Sequence, residues 1–317
     1  MIIITGGAGF VGSNLIRKLN NDGYSDIIIV DDINTVPKIK NMKNLDFSDY
    51  IDKERFLSEL KQGAYNKYKI SAILHNGACT DTTNNNVEYL MKNNYYYSKE
   101  LLNYSVQKRI PFIYASSASI YGDGINGFQD ENNLGNPLNA YAFSKWLFDK
   151  YVLWVLKTAK NQIVGLRYFN VFGFGESHKS NMASLIFHLC TELILNDTLT
   201  IFTLDNYPKG AQKRDFIFID DIVDINLFFL KNPNLSGIFN CGTGKAMSFK
   251  DIAEILIKIH GKGSINFSTI PDNLREGYQT YTKAEISRLK GVGYHCNFKD
   301  FETCLSDYYF YLKNYLK

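Results

Sequence analysis

No run of the 317-residue sequence reaches the roughly 18 uninterrupted apolar residues that a membrane span needs. Cysteine is scarce: Cys79, Cys190, Cys241, Cys296 and Cys304 are odd in number, widely spaced and never in a C-x-x-C pair. That pattern argues against a disulfide framework and against a zinc site, so no metal is expected, and it favours a reducing, cytoplasmic setting. Charge of one sign is also lacking, since 35 Lys and Arg against 32 Asp and Glu leave a formal +3. With the lysines scattered, a phosphate-tracking surface for nucleic acid is not favoured. The opening "MIIITGG" has no basic leader or cleavage site and does not read as a secretory signal. No repeat or low-complexity tract suggests a scaffold. What is present is 45% apolar and 21% charged residues, enough to bury one large core or two coupled ones. The 15% aromatic content is most simply packing.

Short β-rich runs alternate with helical patterns. "MIIIT", a helix from Ser13 to Asn20, "DIIIVDD", a lysine-rich turn, the helix "DKERFLSELKQG" and the strand "SAILHNGA" follow one another. The helix "YYYSKELLNYSVQK", the strand "PFIYASSA", the helix "NAYAFSKWLFDKYVLWVL" and the strand "QIVGLRYFN" continue the series. Such alternation predicts right-handed βαβ units and an α/β fold with a doubly wound parallel sheet. Beyond Asn170 the rhythm weakens into a polar loop, a helix near Met182 to Leu195, and turn-rich connections around "TLDNYPKGAQ". Two later strands, "RDFIFIDD" and "SGIFNCGTG", precede the helix "SFKDIAEILIKIHG". The expected organisation is interleaved: 1–169 and 215–245 form a Rossmann domain, and 170–214 with 246–317 form a smaller C-terminal α/β lobe.

"TGGAGFVGSN" puts Gly6, Gly9 and Gly12 between the first strand and the first helix. Glycines there permit a tight turn and let backbone N–H groups at the helix start approach a pyrophosphate. Asp31, at the end of the second strand, answers them near the spacing expected of a ribose-binding carboxylate. Its charge favours NAD, whereas Lys38 and Lys53 offer the cations a 2′-phosphate requires, unless both are ordinary surface charges. On these residues alone NAD and NADP both stay open.

"YAFSK" sets Tyr141 and Lys145 four apart on a helical pattern, hence on one face. A free phenol has a pKa near 10, and a neighbouring ammonium with the positive ring of an oxidised cofactor would make it a usable base. Ser117, closing "PFIYASSA", is placed to hydrogen-bond the same substrate hydroxyl.

"TGGAGFVG", "NGA" at Asn76 to Ala78, "SSASIYG", "YAFSK", "RYFNVFG" and "RDFIFIDD" together resemble the extended short-chain dehydrogenase/reductase family of nucleotide-sugar enzymes, over essentially the whole chain. The resemblance implies a Rossmann domain for NAD(P), a smaller domain for a nucleotide sugar, a tightly held cofactor in each subunit of a homo-oligomer, and Tyr141, Lys145 and Ser117 as the catalytic set. It implies cofactor contacts at Gly6, Gly9, Phe10, Val11, Gly12, Asp31, Asp32, Lys38, Lys53, Asn76, Gly77, Ala78, Cys79, Thr80, Asn93, Lys145, Val171 and Lys179. Ala118 and Ser119 stand where a 4,6-dehydratase carries an Asp-Glu pair, and Val171-Phe172-Gly173 where a hexose 4-epimerase carries proline. "RYFNVFGFGESHKSNMASLIFHL", "NGACTDTT", "MKNNYYYSKELL" and "GYQTYT" are instead similar to the branch that inverts C6 of ADP-linked manno-heptoses for lipopolysaccharide core precursors. That likeness tips the cofactor to NADP. A 4-epimerase or reductase, or a non-catalytic NAD(P) sensor, are the alternatives, and a sensor has no need of Ser117, Tyr141 and Lys145 together.

Inverting one carbinol centre takes a hydride away, turns the ketone, and returns the hydride to the other face. Turning moves the oxygen, so a second acid/base is chemically sensible. The resemblance maps it to Lys179 within "GESHKSNMAS", with His178 a rival by its intrinsic pKa and Glu176 a bystander. Burial beside another cation would bring Lys179 into range. Substrate contacts carried over in the same way are Ser117, Asn170, Asn181, His188, Phe202, Thr203, Leu204, Asp205, Arg214 and Tyr278. Asn181 stands where that branch has serine, and "FTLDNYPKGAQKRD" is longer than its loop.

Overall fold

The structure, a computed structural model, describes residues 1–130, 135–205, 207–275 and 278–316. Its strands are β1 (Ile2–Thr5), β2 (Ile27–Asp31), β3 (Asp49–Asp52), β4 (Ala72–His75), β5 (Phe112–Ser117), β6 (Ile163–Tyr168), β7 (Asn170–Phe172), β8 (Thr198–Thr203), β9 (Lys213–Phe218), β10 (Gly237–Cys241), β11 (Ala246–Ser248) and β12 (Ser264–Thr269). Seven form one sheet in the order β10-β6-β5-β4-β1-β2-β3, parallel throughout. This is the doubly wound, Rossmann-type sheet that the alternation predicts. Because helices cover both faces, its strands are continuous apolar runs rather than alternating ones. Ile2 and Ile4 of β1 belong to one core and Ile3 to the other, as the two-residue period of a strand requires.

The helices are α1 (Phe10–Asn21), α2 (Val36–Met42), α3 (Lys53–Lys61), α4 (Val87–Leu90), α5 (Tyr97–Lys108), α6 (Ala140–Val155), α7 (Leu185–Asn196), α8 (Ile219–Lys231), α9 (Phe249–His260), α10 (Asp272–Arg275), α11 (Ser287–Gly291) and α12 (Phe301–Tyr315). Three elements depart from the sequence reading. The lysine-rich turn after β2 contains α2, started by Thr35 with Pro37 in its first turn, where a missing N–H costs nothing. The polar stretch before α3 contains β3, a short edge strand with one buried residue, Ile51. "RDFIFIDD" ends as a strand at Phe218, and Ile219, Asp220 and Asp221 already form the first turn of α8, where acidic side chains suit the helix dipole.

Of the two strands within 215–245, only β10 joins the large sheet. β9 lies in a three-stranded sheet, β11-β9-β7, and β8 pairs with β12 in a two-stranded one. Strand order reverses between β1 and β4, which pair from Ile2 with Ala72 to Thr5 with His75. Their loops therefore diverge at the carboxyl edge, where open α/β sheets hold ligands.

Candidate active site

A cavity of about 830 Å³ opens at that edge. Every residue of the expected cofactor set lines it, from Gly6, Gly9, Phe10, Val11 and Gly12 to Val171 and Lys179. The turn is possible only with glycine: Gly6 has φ +67°, and a Cβ on it would stand 2.7 Å from the Gly77 nitrogen. A Cβ on Gly12 would stand 2.2 Å from the Gly6 carbonyl oxygen. α1 begins beyond Gly9 with no side chain capping it, which suits an anion at its start.

Asp31, which lines the cleft, is buried. It accepts the Ala8 N–H (2.9 Å), the Asp32 N–H (2.8 Å) and the Lys38 ammonium (2.9 Å). Burial raises its pKa above the ordinary carboxylate value despite Lys38. Lys38 also reaches the Asp32 carboxylate (2.6 Å), and Lys53 bridges Asp32 (3.0 Å) and Asn93 (3.0 Å). Burial works against the Asp32 charge too, but the hydrogen bonds from Lys38 and Lys53 prevail and hold its pKa below the usual value. Two carboxylates and two ammonium groups thus share one rim.

α6 carries Tyr141 and Lys145 into the cavity. Asn139 starts the helix by accepting the Ala142 N–H (2.8 Å), which fixes where its first turn points. Lys145 is 6% exposed, donates to the Ala115 carbonyl (2.8 Å), and is pushed down to about 8 by burial. Burial also raises the Tyr141 phenol above its ordinary value, with the Ser117 hydroxyl pulling it back. Burial outweighs that hydrogen bond, and the phenol stays above its ordinary value. Ser117 ends β5, and its oxygen accepts the Ser119 N–H (3.2 Å) and lies 2.9 Å from the Ser119 hydroxyl.

The loop from Gly173 to Ser184 forms another wall. The Lys179 ammonium lies 5.7 Å from the centre of the Phe10 ring and has no hydrogen-bond or ion-pair partner among the described residues. Burial lowers its pKa, and the Glu176 carboxylate pulls it partly back. His178 stands beside the glycine turn, its Nδ1 3.0 Å from the Gly175 carbonyl oxygen, and burial pushes it down to about 4. The ring is neutral near pH 7 and poorly suited to accept a proton there.

The expected substrate contacts divide. Asn170, Asn181 and Arg214 line the cavity with Ser117. Arg214 stacks on Tyr278 (5.2 Å) and on Phe249 (5.4 Å), donates to the Gln279 carbonyl (3.0 Å), and has a buried Nε without a partner among the described residues. His188, Phe202, Thr203, Leu204, Asp205 and Tyr278 are not on the cavity wall, and Tyr278 meets the site only through its ring against Arg214. His188 is an exposed residue of α7 packed on Phe187. At the end of β8 the Phe202 carbonyl accepts the Gln212 amide, Thr203 donates to Ser268, and Asp205 pairs with Arg275 (3.0 Å). The residue most completely missed is Asn94. Fully buried in a π-helical segment, Met91–Tyr96, it accepts the Cys79 N–H (2.8 Å) and donates to the Cys79 carbonyl (3.0 Å) and Ser144 (3.0 Å). It fastens the cavity-lining segment 76–80 to α6. The doubled asparagine of "MKNNYYY" was the available signal, but a π segment breaks the 3.6-residue period that flags a helix face.

The family model described as NAD dependent epimerase/dehydratase family matches residues 2–242. The resemblance to the heptose branch is borne out by an ADP-L-glycero-D-manno-heptose-6-epimerase of Brachyspira hyodysenteriae, 46% identical over 97% of this chain and 96% of that protein. A crystal structure of Helicobacter pylori ADP-L-glycero-D-manno-heptose-6-epimerase superposes with TM-score 0.82 at 30% identity, covering 98% of this chain and 95% of the other. Bacillus cereus UDP-glucuronic acid 4-epimerase, solved with UDP-glucuronic acid and NAD, gives TM-score 0.81 at 27% identity over 99% of each chain. Sequence and backbone agree from end to end, and this chain belongs to the NAD dependent epimerase/dehydratase family.

Proposed function

We propose that this protein is an NADP-dependent epimerase that converts ADP-D-glycero-D-manno-heptose into ADP-L-glycero-D-manno-heptose, a precursor for the lipopolysaccharide core. The observation that carries the reading is that two proton-transfer groups from different elements, Tyr141 of α6 and Lys179 of the 173–184 loop, line one cavity beside a glycine turn. A redox-neutral inversion is served by such a pair, because the carbonyl oxygen changes place when the ketone turns. The names of the Brachyspira and Helicobacter relatives, both ADP-heptose 6-epimerases, support C6 of an ADP-heptose as the centre.

When bound, the nicotinamide supplies a hydride acceptor and then a hydride donor on one fixed face, and its positive ring favours the phenolate form of Tyr141. Tyr141, with Ser117 orienting the hydroxyl, removes the C6 hydroxyl proton. Lys145 holds the site's geometry through the Ala115 carbonyl. After the 6-ketone turns, Lys179 gives its oxygen a proton. Arg214, with a planar fork whose Nε has no partner among the described residues, suits the diphosphate. The large sheet then serves the dinucleotide, and the segments 170–214 and 246–317 serve the nucleotide sugar. Lys38 and Lys53, paired with Asp31 and Asp32 at one rim, support NADP, since they are the cations a 2′-phosphate there would require.

Paired variants test the two-base scheme. Tyr141→Phe and Lys179→Met are each expected to lower kcat about 10²- to 10⁴-fold, the usual worth of an acid/base group, while dinucleotide affinity holds. Near wild-type turnover by Lys179→Met would reduce that lysine to a binding residue.

A further inference from the structure

Glu176 takes no part in the steps above, yet its side chain is fully buried and hydrogen-bonded at every turn. Oε1 accepts the Gly173 N–H (3.1 Å), the Ser184 hydroxyl (2.9 Å) and the Tyr308 hydroxyl (2.9 Å), and Oε2 accepts the Ser184 N–H (2.6 Å). These donors come from separate places: Gly173 follows β7, Ser184 caps α7, and Tyr308 lies on α12. One carboxylate therefore closes both ends of the loop and ties them to the last helix. The Glu176 carbonyl accepts the Lys179 N–H (2.9 Å), which sets the turn from which that side chain departs. Ser180, the next residue, holds φ 48° and ψ −121°, a backbone conformation suited to glycine. A loose loop would relax it, so the surrounding contacts must hold it there.

We propose that Glu176 is the positioning residue for Lys179: its clamp on Gly173, Ser184 and Tyr308 keeps the Lys179 amine in the cavity, over the start of α1. Among the described residues the carboxylate has no direct cationic partner and is satisfied by four donors, an arrangement that fixes direction as well as charge. Its titratable neighbours are Tyr308 from α12, Cys190 from α7, and Lys179 and His178 from its own loop. Burial and the Glu176 charge raise both the Tyr308 phenol and the Cys190 thiol, so neither competes for the negative charge. His178 is neutral near pH 7. Glu176 is thus the group that opposes the effect of burial on Lys179.

The inference rests on the reading of Lys179 as the second proton-transfer group, and its test separates the two. Acetic anhydride labelling of Lys179 against pH, read by mass spectrometry, needs no turnover. In Glu176→Gln, loss of the negative charge should move the Lys179 titration to lower pH. The displaced amine should cost about 100-fold in kcat, as for a misplaced reacting group, with KM for the nucleotide sugar and dinucleotide affinity retained. Tyr308→Phe keeps the charge, so the titration should stay while kcat falls less. Wild-type kcat in a folded Glu176→Gln protein overturns the proposal, and so does a loss confined to KM. If Glu176→Gln does not fold, Tyr308→Phe decides, and an unchanged kcat overturns it. If the wild type inverts no heptose, the proposed function fails, and an unmoved Lys179 titration in Glu176→Gln then overturns the positioning role separately.

Discussion

Lys145 shows how much one buried amine is governed by what surrounds it. Burial lowers its pKa to about 8, while the Asp149 charge, one helical turn away, acts in the other direction. Asp149 is itself committed to Arg167 (2.8 Å), Tyr114 (2.8 Å) and Ser116 (3.0 Å), all buried or nearly so. Its charge is therefore mostly spent on Arg167, and burial of Lys145 prevails. A stability signature follows. The folded chain releases the Lys145 proton near pH 8, and the unfolded chain near the ordinary 10.5. Between these values the unfolded state binds more protons, so the lysine's contribution to stability rises with pH, by at most about 1.4 kcal/mol per unit. Denaturation of wild type and Lys145→Met at pH 7.5 and pH 9.5 should show the difference between them shifting in favour of wild type at the higher pH. A difference independent of pH would mean that Lys145 titrates normally. The spacing of Tyr141 and Lys145 was legible as two numbers on one helix face. The buried Asp149–Arg167 pair behind them was not, because nothing in the sequence brings residues of α6 and β6 together.

At the scale of elements, the β1–α1 turn leaves the least room. The 2.2 Å between a Cβ on Gly12 and the Gly6 oxygen means that Gly12→Ala must push the first turn of α1 off the strand end. Overpacking of this kind costs about 1 to 3 kcal/mol, and here it also moves the helix start, the place suited to a pyrophosphate. Urea denaturation and dinucleotide titration of Gly12→Ala should both show losses. Gly291→Ala in α11, with nothing within 4 Å of the added methyl, should show neither. Equal behaviour of the two variants would contradict this account of the turn. The turn could be read from three glycines and an aspartate because its chemistry is local. α2 and β3 could not, because each presents little apolar pattern of its own: α2 has one buried residue, Asn41, and β3 one, Ile51. The Asn94 clamp escaped for a related reason, since it lies where the helix widens.

For the whole molecule, the site is assembled from segments far apart in sequence. Residues 6–12, 31–38, 76–82, 141–145, 170–184 and 214 meet at one sheet edge. The order of strands that brings them there was readable from the alternation of patterns. The destinations of β9 and β10 were not, since two similar apolar runs go to different sheets and only pairing partners distinguish them. The same limit applies to His188, the 202–205 stretch and Tyr278, which resemblance put at the substrate and this structure holds outside the cavity wall. α12 adds a long-range element that no motif announced: Phe174 packs on Tyr308 and Tyr311, and Tyr308 reaches Glu176, so the last helix supports the loop carrying Lys179. Among the described residues no helix is long and apolar enough to cross a membrane. The central claim is tested most directly by incubating the purified protein with ADP-D-glycero-D-manno-heptose and NADP, with UDP-glucose in parallel, and following the C6 and C4 centres by NMR. The account predicts appearance of the L-glycero epimer and no inversion at C4 of the glucose; an unchanged heptose, or inversion of the glucose instead, would contradict it.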